Sequence, residues 1–196
     1  AAKARHAHTC AILLRAGAAH AVPNANFDTA LKLAVANGHV AARRAISPSR
    51  SDADVADQRD RNVTPLMLAS RRGLLEEVQA LLGSSAGVAA RSASGCTALS
   101  MAAEEGALEV VKVLLDARAD PSTADETGAG PVLNAAENGH VGVLQALLAR
   151  ASEQIDASTA RGTTALMLAC MSCHDAAVAE LSSRGVGIDA RNLWGQ

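Results

Sequence analysis

A three-residue motif recurs along this 196-residue chain at a nearly constant interval, and that interval constrains the fold more than any other feature. The copies are Thr29-Ala30-Leu31, Thr64-Pro65-Leu66, Thr97-Ala98-Leu99, Gly130-Pro131-Val132 and Thr164-Ala165-Leu166. The intervals between their first residues, obtained by subtracting residue numbers, are 35, 33, 33 and 34 residues. Such periodicity indicates a stack of small units, each of which contacts only its neighbours. We therefore predict one continuous repeat array.

The central copy, residues 95–120, shows what one unit contains. The hydroxyl of Thr97 can cap a short first helix, and Gly106 permits the left-handed turn that ends it. A second helix is predicted from Leu108 to Leu115, and it is apolar on nearly every side. A helix of that kind needs cover from more than its own partner, so the neighbouring units must supply it.

Composition excludes several classes of protein. The chain is 49% hydrophobic, which is too apolar for disorder, and its formal net charge of 18 − 20 = −2 offers no basic field to attract nucleic acid. Phe27 and Trp194 are its only aromatic residues, which argues against a β-sandwich or barrel. Four cysteines do not make a disulfide scaffold in a chain this long. With no apolar run of roughly 18 residues and no signal-peptide pattern, we expect no membrane insertion and a reducing compartment, cytoplasmic or nuclear.

One local motif suggests different chemistry. The segment Cys170-Met171-Ser172-Cys173-His174 matches the C-x-x-C-H pattern of covalent haem attachment. His39 and His140 occupy the same place in their copies without cysteines nearby, which favours a structural turn instead. A redox or zinc role for the two thiols stays open, although no second Cys/His pair stands at ligand spacing.

Other catalytic patterns are missing from the sequence. It contains no phosphate loop, dinucleotide fingerprint or nucleophile elbow. Acidic pairs such as Glu76-Glu77 and Glu104-Glu105 are neighbours that point about 100° apart on a helix, which is typical of solvated charge. We therefore predict no catalytic residue, no metal and no cofactor.

The period near 33 residues and the order turn, helix, turn, helix resemble the ankyrin repeat family, and the resemblance covers essentially the whole chain. It implies an all-α solenoid of stacked helix-turn-helix units joined by β-turn or hairpin connectors. The implied single domain, 1–196, divides into a partial repeat at 1–28 and five repeats at 29–63, 64–96, 97–129, 130–163 and 164–196, with the next repeat truncated. Both ends break inside the pattern, so we expect a segment of a longer array.

The sequence also departs from the family pattern. The His that commonly follows Thr-Pro-Leu is replaced by Lys32, Met67, Ser100, Leu133 and Met167. We therefore expect any side-chain link that this His makes to the Thr cap to be absent throughout. The Asp often found at the turn start is also missing, which predicts less rigid turns. The residues in its place are Asn26, Arg61, Ser94, Thr127, Arg161 and Trp194.

Two further departures concern single repeats. Gly130 stands in the place of the Thr cap, so the fourth repeat should have a weaker cap. Cys173 stands where the other interior repeats have glycine, and a non-glycine residue in a left-handed turn costs roughly 1 kcal/mol. We expect the fifth repeat to be the least stable interior one.

In the resembled family, turn tips and first helices form a concave face that binds other proteins. Carried over by position, the predicted protein-binding residues are Lys32, Leu33, Arg61, Met67, Arg71, Arg72, Met101, Glu104, Glu105, Asn134, Glu137, Asn138, Met171 and Trp194. This face changes from basic to acidic along the array, which implies a partner with a complementary charge order.

The resemblance thus implies a monomeric, non-catalytic scaffold that binds another protein and neither nucleic acid nor a membrane. The alternative is a targeting or regulatory module of a larger enzyme or ion channel whose active domain lies outside this chain. An enzyme within these residues is the third hypothesis, and it needs a catalytic constellation that the sequence lacks.

Overall fold

The computed structural model describes residues 62–187, 190, 192 and 193, and the regular elements within them are helical. The predictions for Lys32, Leu33, Arg61, Trp194 and the two N-terminal repeats lie outside the described residues. The helices are α1 (Pro65–Arg71), α2 (Leu75–Gly83), α3 (Ala98–Glu104), α4 (Leu108–Asp116), α5 (Pro131–Glu137), α6 (Val141–Arg150), α7 (Ala165–Met171) and α8 (Asp175–Ser183), with a 3-10 helix (Ser152–Asp156) after α6.

The helices form two rows. The first helices of the repeats, α1, α3, α5 and α7, pack side by side in one row, and the second helices, α2, α4, α6 and α8, pack in the other. Each first helix also packs against the second helix of its own repeat. The predicted all-α repeat fold is therefore confirmed.

The hydrophobic core lies between the rows and between neighbouring repeats. Helix α4 shows why: Val110, Val111 and Leu114 are at most 1% exposed, because α2 covers one side of the helix and α6 covers the other. The predicted need for cover from neighbouring units is confirmed.

The caps of the first helices follow the sequence motif. Thr64, Thr97 and Thr164 have extended backbones, and each hydroxyl accepts a hydrogen bond from the backbone N–H three residues later. Gly130 makes no side-chain cap, as predicted, and Pro131 begins α5 instead. Because proline lacks an N–H, it leaves one fewer donor unsatisfied at this helix start.

In α3 a serine, which stands in the place of the family's His, links back to the Thr cap. The Ser100 hydroxyl accepts from the Thr97 N–H at 2.8 Å, and the Ser100 N–H donates to the Thr97 hydroxyl at 3.1 Å. In α1 the Thr64 N–H lies 3.5 Å from the Met67 sulfur. Serine succeeds here because its short hydroxyl can fold back onto the first turn and form a reciprocal capping box.

Three turns contain a side-chain hydrogen-bond acceptor that lies two residues before the position of the missing Asp. The Ser92 hydroxyl accepts from the Cys96 N–H at 3.0 Å, and the Thr159 hydroxyl accepts from the Thr163 N–H at 3.2 Å. In the turn between them, Asp125 accepts from two backbone N–H groups, at 2.8 and 3.0 Å. These three turns therefore have a side-chain acceptor although the Asp of the family pattern is missing at Ser94, Thr127 and Arg161.

Neighbouring turn tips are joined by backbone hydrogen bonds. Each of three N–H groups donates to a carbonyl of the preceding tip: Glu126 to Ser94 at 3.1 Å, Ala160 to Thr127 at 2.9 Å and Leu193 to Arg161 at 3.0 Å. The tips therefore form a ladder that crosses the repeats.

A histidine of one repeat packs on a glycine of the preceding one. Gly106 has a φ of +72°, and a Cβ built there would lie 2.6 Å from the ring of His140. Nε2 of His140 lies 3.0 Å from the Glu104 carbonyl oxygen, which joins the same two repeats. Gly139 and His174 repeat this packing, again at 2.6 Å. His174 thus occupies a stacking position, which supports the structural interpretation of the C-x-x-C-H segment.

Cys173 lies at the equivalent turn of the fifth repeat, and its φ of +58° confirms the predicted left-handed conformation. Replacing Cys173 with glycine is expected to raise the free energy of unfolding by up to about 1 kcal/mol, because the steric cost of a Cβ in this conformation disappears. Urea denaturation followed by circular dichroism measures the change.

Ser172→Gly is the matched control, because Ser172 has an ordinary φ of −89°. It is expected to leave stability unchanged or to lower it slightly, since glycine adds freedom to the unfolded chain. Equal effects of the two substitutions would show that the left-handed turn does not limit the stability of this repeat.

Candidate protein-binding surface

The last residue of each first helix is exposed, and these four positions form a line across the repeats. They are Arg71, Glu104, Glu137 and Met171, hereafter the helix-end row. The residues that follow them, Arg72, Glu105, Asn138 and Ser172, are also exposed and form a parallel line, hereafter the cap row. Because adjacent packed helices lie about 8–10 Å apart, equivalent positions of neighbouring repeats are separated by about that distance.

Two predicted site residues are not at the surface. Met67 is 0% exposed and Met101 is 2% exposed, so their assignment as outward-facing residues is wrong. Both lie before the last turn of a seven-residue helix that has neighbours in its own row and a partner in the other row. In α1 and α3 only the last residue, Arg71 or Glu104, is exposed beyond this packing.

Asn134 is half-buried and joins two repeats. Its side-chain amide donates to the Ser100 carbonyl oxygen at 3.4 Å, which links α5 to α3. Asn138, one turn later, is exposed, and its side-chain amide donates to the Asn134 carbonyl oxygen at 2.9 Å.

Three carboxylates at the ends of first helices lie where their charge is unfavourable. Glu104 and Glu137 end α3 and α5, and Glu105 caps α3. The carboxyl end of a helix carries partial negative charge, so an acidic side chain there is destabilising, typically by about 0.3–1 kcal/mol at an exposed site. Within residues 62–187, none of the three carboxylates forms a salt bridge.

Two carboxylates on the second helices have hydrogen-bonding or ion-pair partners. Asp116 also ends a helix, α4, but Arg150 of the next repeat pairs with it. Glu180 accepts hydrogen bonds from Gln145 and Arg184, and these two interactions lower the pKa of its carboxyl group below the ordinary value. Asp116 and Glu180 of the second helices are therefore paired, whereas Glu104, Glu105 and Glu137 of the first helices form no salt bridge within the described residues.

One turn carboxylate has a similar local explanation. Hydrogen bonds from the hydroxyl and N–H of Ser122 lower the pKa of the Asp120 carboxyl group. These bonds lie within a single turn and are typical of an Asx turn, so they account for the charge without a ligand.

The two large apolar side chains most exposed within the described part of the chain are Met171, 64% exposed, and Leu193, 78% exposed. Met171 is one of the residues predicted from sequence, whereas at the last turn tip the prediction was Trp194 and not Leu193. The repeat period could have identified Leu193, because the exposed residues Ala160 and Glu126 hold the same place one and two repeats earlier.

The described residues show no grouping suited to metal binding. Within this part of the chain, no three His, Cys, Asp or Glu side chains come together as ligands. Cys170 and Cys173 are both exposed as thiols. The helices that the structure describes include none that is long and apolar enough to cross a membrane.

Comparison with known proteins agrees with the stacked helix pairs. The family model described as ankyrin repeats (3 copies) matches residues 42–125 and 117–192, which together span more than half of the chain. A comparison with curated protein sequences found no match. The two-row stack, the capped first helices and the family match lead to one conclusion: the chain belongs to the ankyrin repeat family.

Proposed function

We propose that this chain binds another protein through the helix-end row, the cap row and the adjacent turn tips. Ankyrin repeats are in general protein–protein interaction modules. The observation that carries the proposal is the set of unpaired carboxylates of Glu104, Glu105 and Glu137, which lie at helix ends where they lower stability. Side chains that break a local stability rule are expected to be used for function.

The outer surface offers less to a partner. A shallow groove runs between α4 and α6, and Leu115, Ala146 and Ala149 form its apolar lining. The charged residues at its edges are already paired: Arg150 with Asp116, and Lys112 with Glu109. A partner bound there would meet no unneutralised charge from these four side chains, so electrostatic complementarity favours the first-helix face.

Binding of a partner protein to the array is expected both for a scaffold and for a targeting module of a larger enzyme or channel. In both cases the partner contacts the array, and the two differ in what lies outside these residues. The proposal for residues 62–187 is therefore the binding act itself, with Arg71 at its basic end and Met171 at its apolar end.

Site-specific photo-cross-linking tests which face is used. A photoreactive benzophenone amino acid is placed at Glu137 in the helix-end row or at Gln79, an exposed residue of the second helix α2. We expect a discrete cross-linked product in cell extract from the first position only. Addition of Glu104→Lys should weaken that product by removing one carboxylate of the proposed site.

Two outcomes would contradict the proposal. One is a product of equal yield from Gln79 and Glu137, because both faces would then meet proteins without selection. The other is a product from Glu137 that Glu104→Lys leaves unchanged while circular dichroism shows an intact fold.

A further inference from the structure

The spacing of the helix-end row matches one kind of peptide backbone. Neighbouring positions of the row are about 8–10 Å apart, because the first helices pack side by side. A polyproline II segment rises about 3.1 Å per residue with three residues per turn, so every third side chain returns to the same face after about 9 Å. In a β-strand successive side chains alternate between the two faces, so the side chain three residues further on points to the opposite face.

The cap row favours this conformation over a helical ligand. An α-helix uses its own N–H and C=O groups internally, whereas a polyproline II segment leaves them available. Asn138, which carries a side-chain oxygen, and Ser172, which carries a hydroxyl, are exposed residues that directly follow the helix-end row in sequence. These groups can bond to an open backbone, which a helix would not offer.

The charges of the row then define the ligand. Glu104 and Glu137 occupy adjacent positions, with Arg71 before them and Met171 after them. We propose that the row binds one linear protein segment in polyproline II conformation, with Lys or Arg residues three apart that meet Glu104 and Glu137. The segment also carries an acidic residue that meets Arg71, three positions from the Lys or Arg at Glu104. On the other side it carries an apolar residue that meets Met171, three positions from the Lys or Arg at Glu137. This inference rests on the proposed function and adds the chemistry of the partner.

Synthetic peptides test the spacing directly. A fluorescent peptide with acidic, basic, basic and apolar residues at every third position is compared with peptides of the same composition spaced by two, four or seven residues. The reversed order is included, since the row does not define direction. By fluorescence anisotropy with the whole chain, we expect the three-residue spacing, in one direction, to bind about tenfold more tightly. The advantage should shrink as salt rises, because exposed charges are screened.

Charge exchange tests the residues. Glu137→Lys is expected to weaken the matched peptide about fivefold, and a peptide with Glu at the corresponding position should recover the loss. Glu76→Lys makes the same charge change on α2 and should have no effect on binding. Because Glu137 ends a helix, the substitution should leave the melting temperature unchanged or slightly higher, which separates lost binding from lost folding.

The possible results are distinguishable. Equal binding of all spacings, tighter binding of the seven-residue helical spacing, or equal loss from Glu76→Lys and Glu137→Lys would overturn the polyproline II inference. Cross-linking at Glu137 without a preference for spacing would leave the proposed function standing and remove only the ligand chemistry. If neither the cross-link at Glu137 nor the spacing preference is observed, the proposed function and the polyproline II inference are both contradicted.

Discussion

Gly106→Ala is expected to lower the free energy of unfolding by about 2–4 kcal/mol. A φ of +72° at this position costs an alanine roughly 1 kcal/mol. The added Cβ would lie 2.6 Å from the His140 ring, so the ring must also move, which typically adds 1–3 kcal/mol. Urea denaturation of the whole chain, followed by circular dichroism, measures the loss.

The chain provides a matched control and a rescue for this prediction. Gly73 has a similar φ of +64°, but its added Cβ would meet only the Ala107 methyl group at an ordinary 3.7 Å. Gly73→Ala should therefore lower stability by only about 1 kcal/mol. His140→Ala combined with Gly106→Ala should be more stable than the sum of the single changes implies. Equal losses at both glycines and strict additivity would contradict the proposed stacking of His140 on Gly106.

Leu114→Ala is expected to destabilise the array by about 2–5 kcal/mol. Leu114 is 0% exposed in α4, and α4 lies between α2 and α6. Truncation removes apolar contacts and leaves a cavity that the surrounding helices fill only partly. Calorimetric and denaturant unfolding measure the change, and the thermal transition should move to lower temperature.

Val113 supplies the comparison for Leu114 in the same helix. Its side chain is only half-buried, so Val113→Ala should lower stability by about 1 kcal/mol. A loss at Val113 as large as that at Leu114 would contradict the dependence of stability on cover by neighbouring repeats, because alanine is the better helix former and propensity cannot account for the loss.

The exposure of the helix-end row could be predicted from sequence, but the burial of two other predicted site residues could not. The repeat period placed Arg71, Glu104, Glu137 and Met171 at equivalent positions, and all four are exposed. Met67 and Met101 were assigned to the same face but lie in the core. Amphipathic patterning gives the direction of a side chain on one helix, whereas burial depends on how closely the next helix approaches.

The local capping interactions show the same division. The position of Thr97 predicted a cap, because the hydroxyl and the first N–H groups of the helix are near one another in sequence. The reciprocal bond from Ser100 was not predicted, because the family pattern has histidine at that position. A serine three residues after the cap was the available signal, since its short side chain can complete a capping box.

The sequence by itself determined the repeat period, the two-helix unit and the need of α4 for cover. These follow from local capping, turn conformation and hydrophobic pattern, which act over a few residues. Only the tertiary structure decided that His140 rests on Gly106, that the turn tips form a ladder and that Glu104 and Glu137 keep unpaired carboxylates. Each of these depends on the approach of groups about 33 residues apart, and their distances are set by the packing of whole repeats.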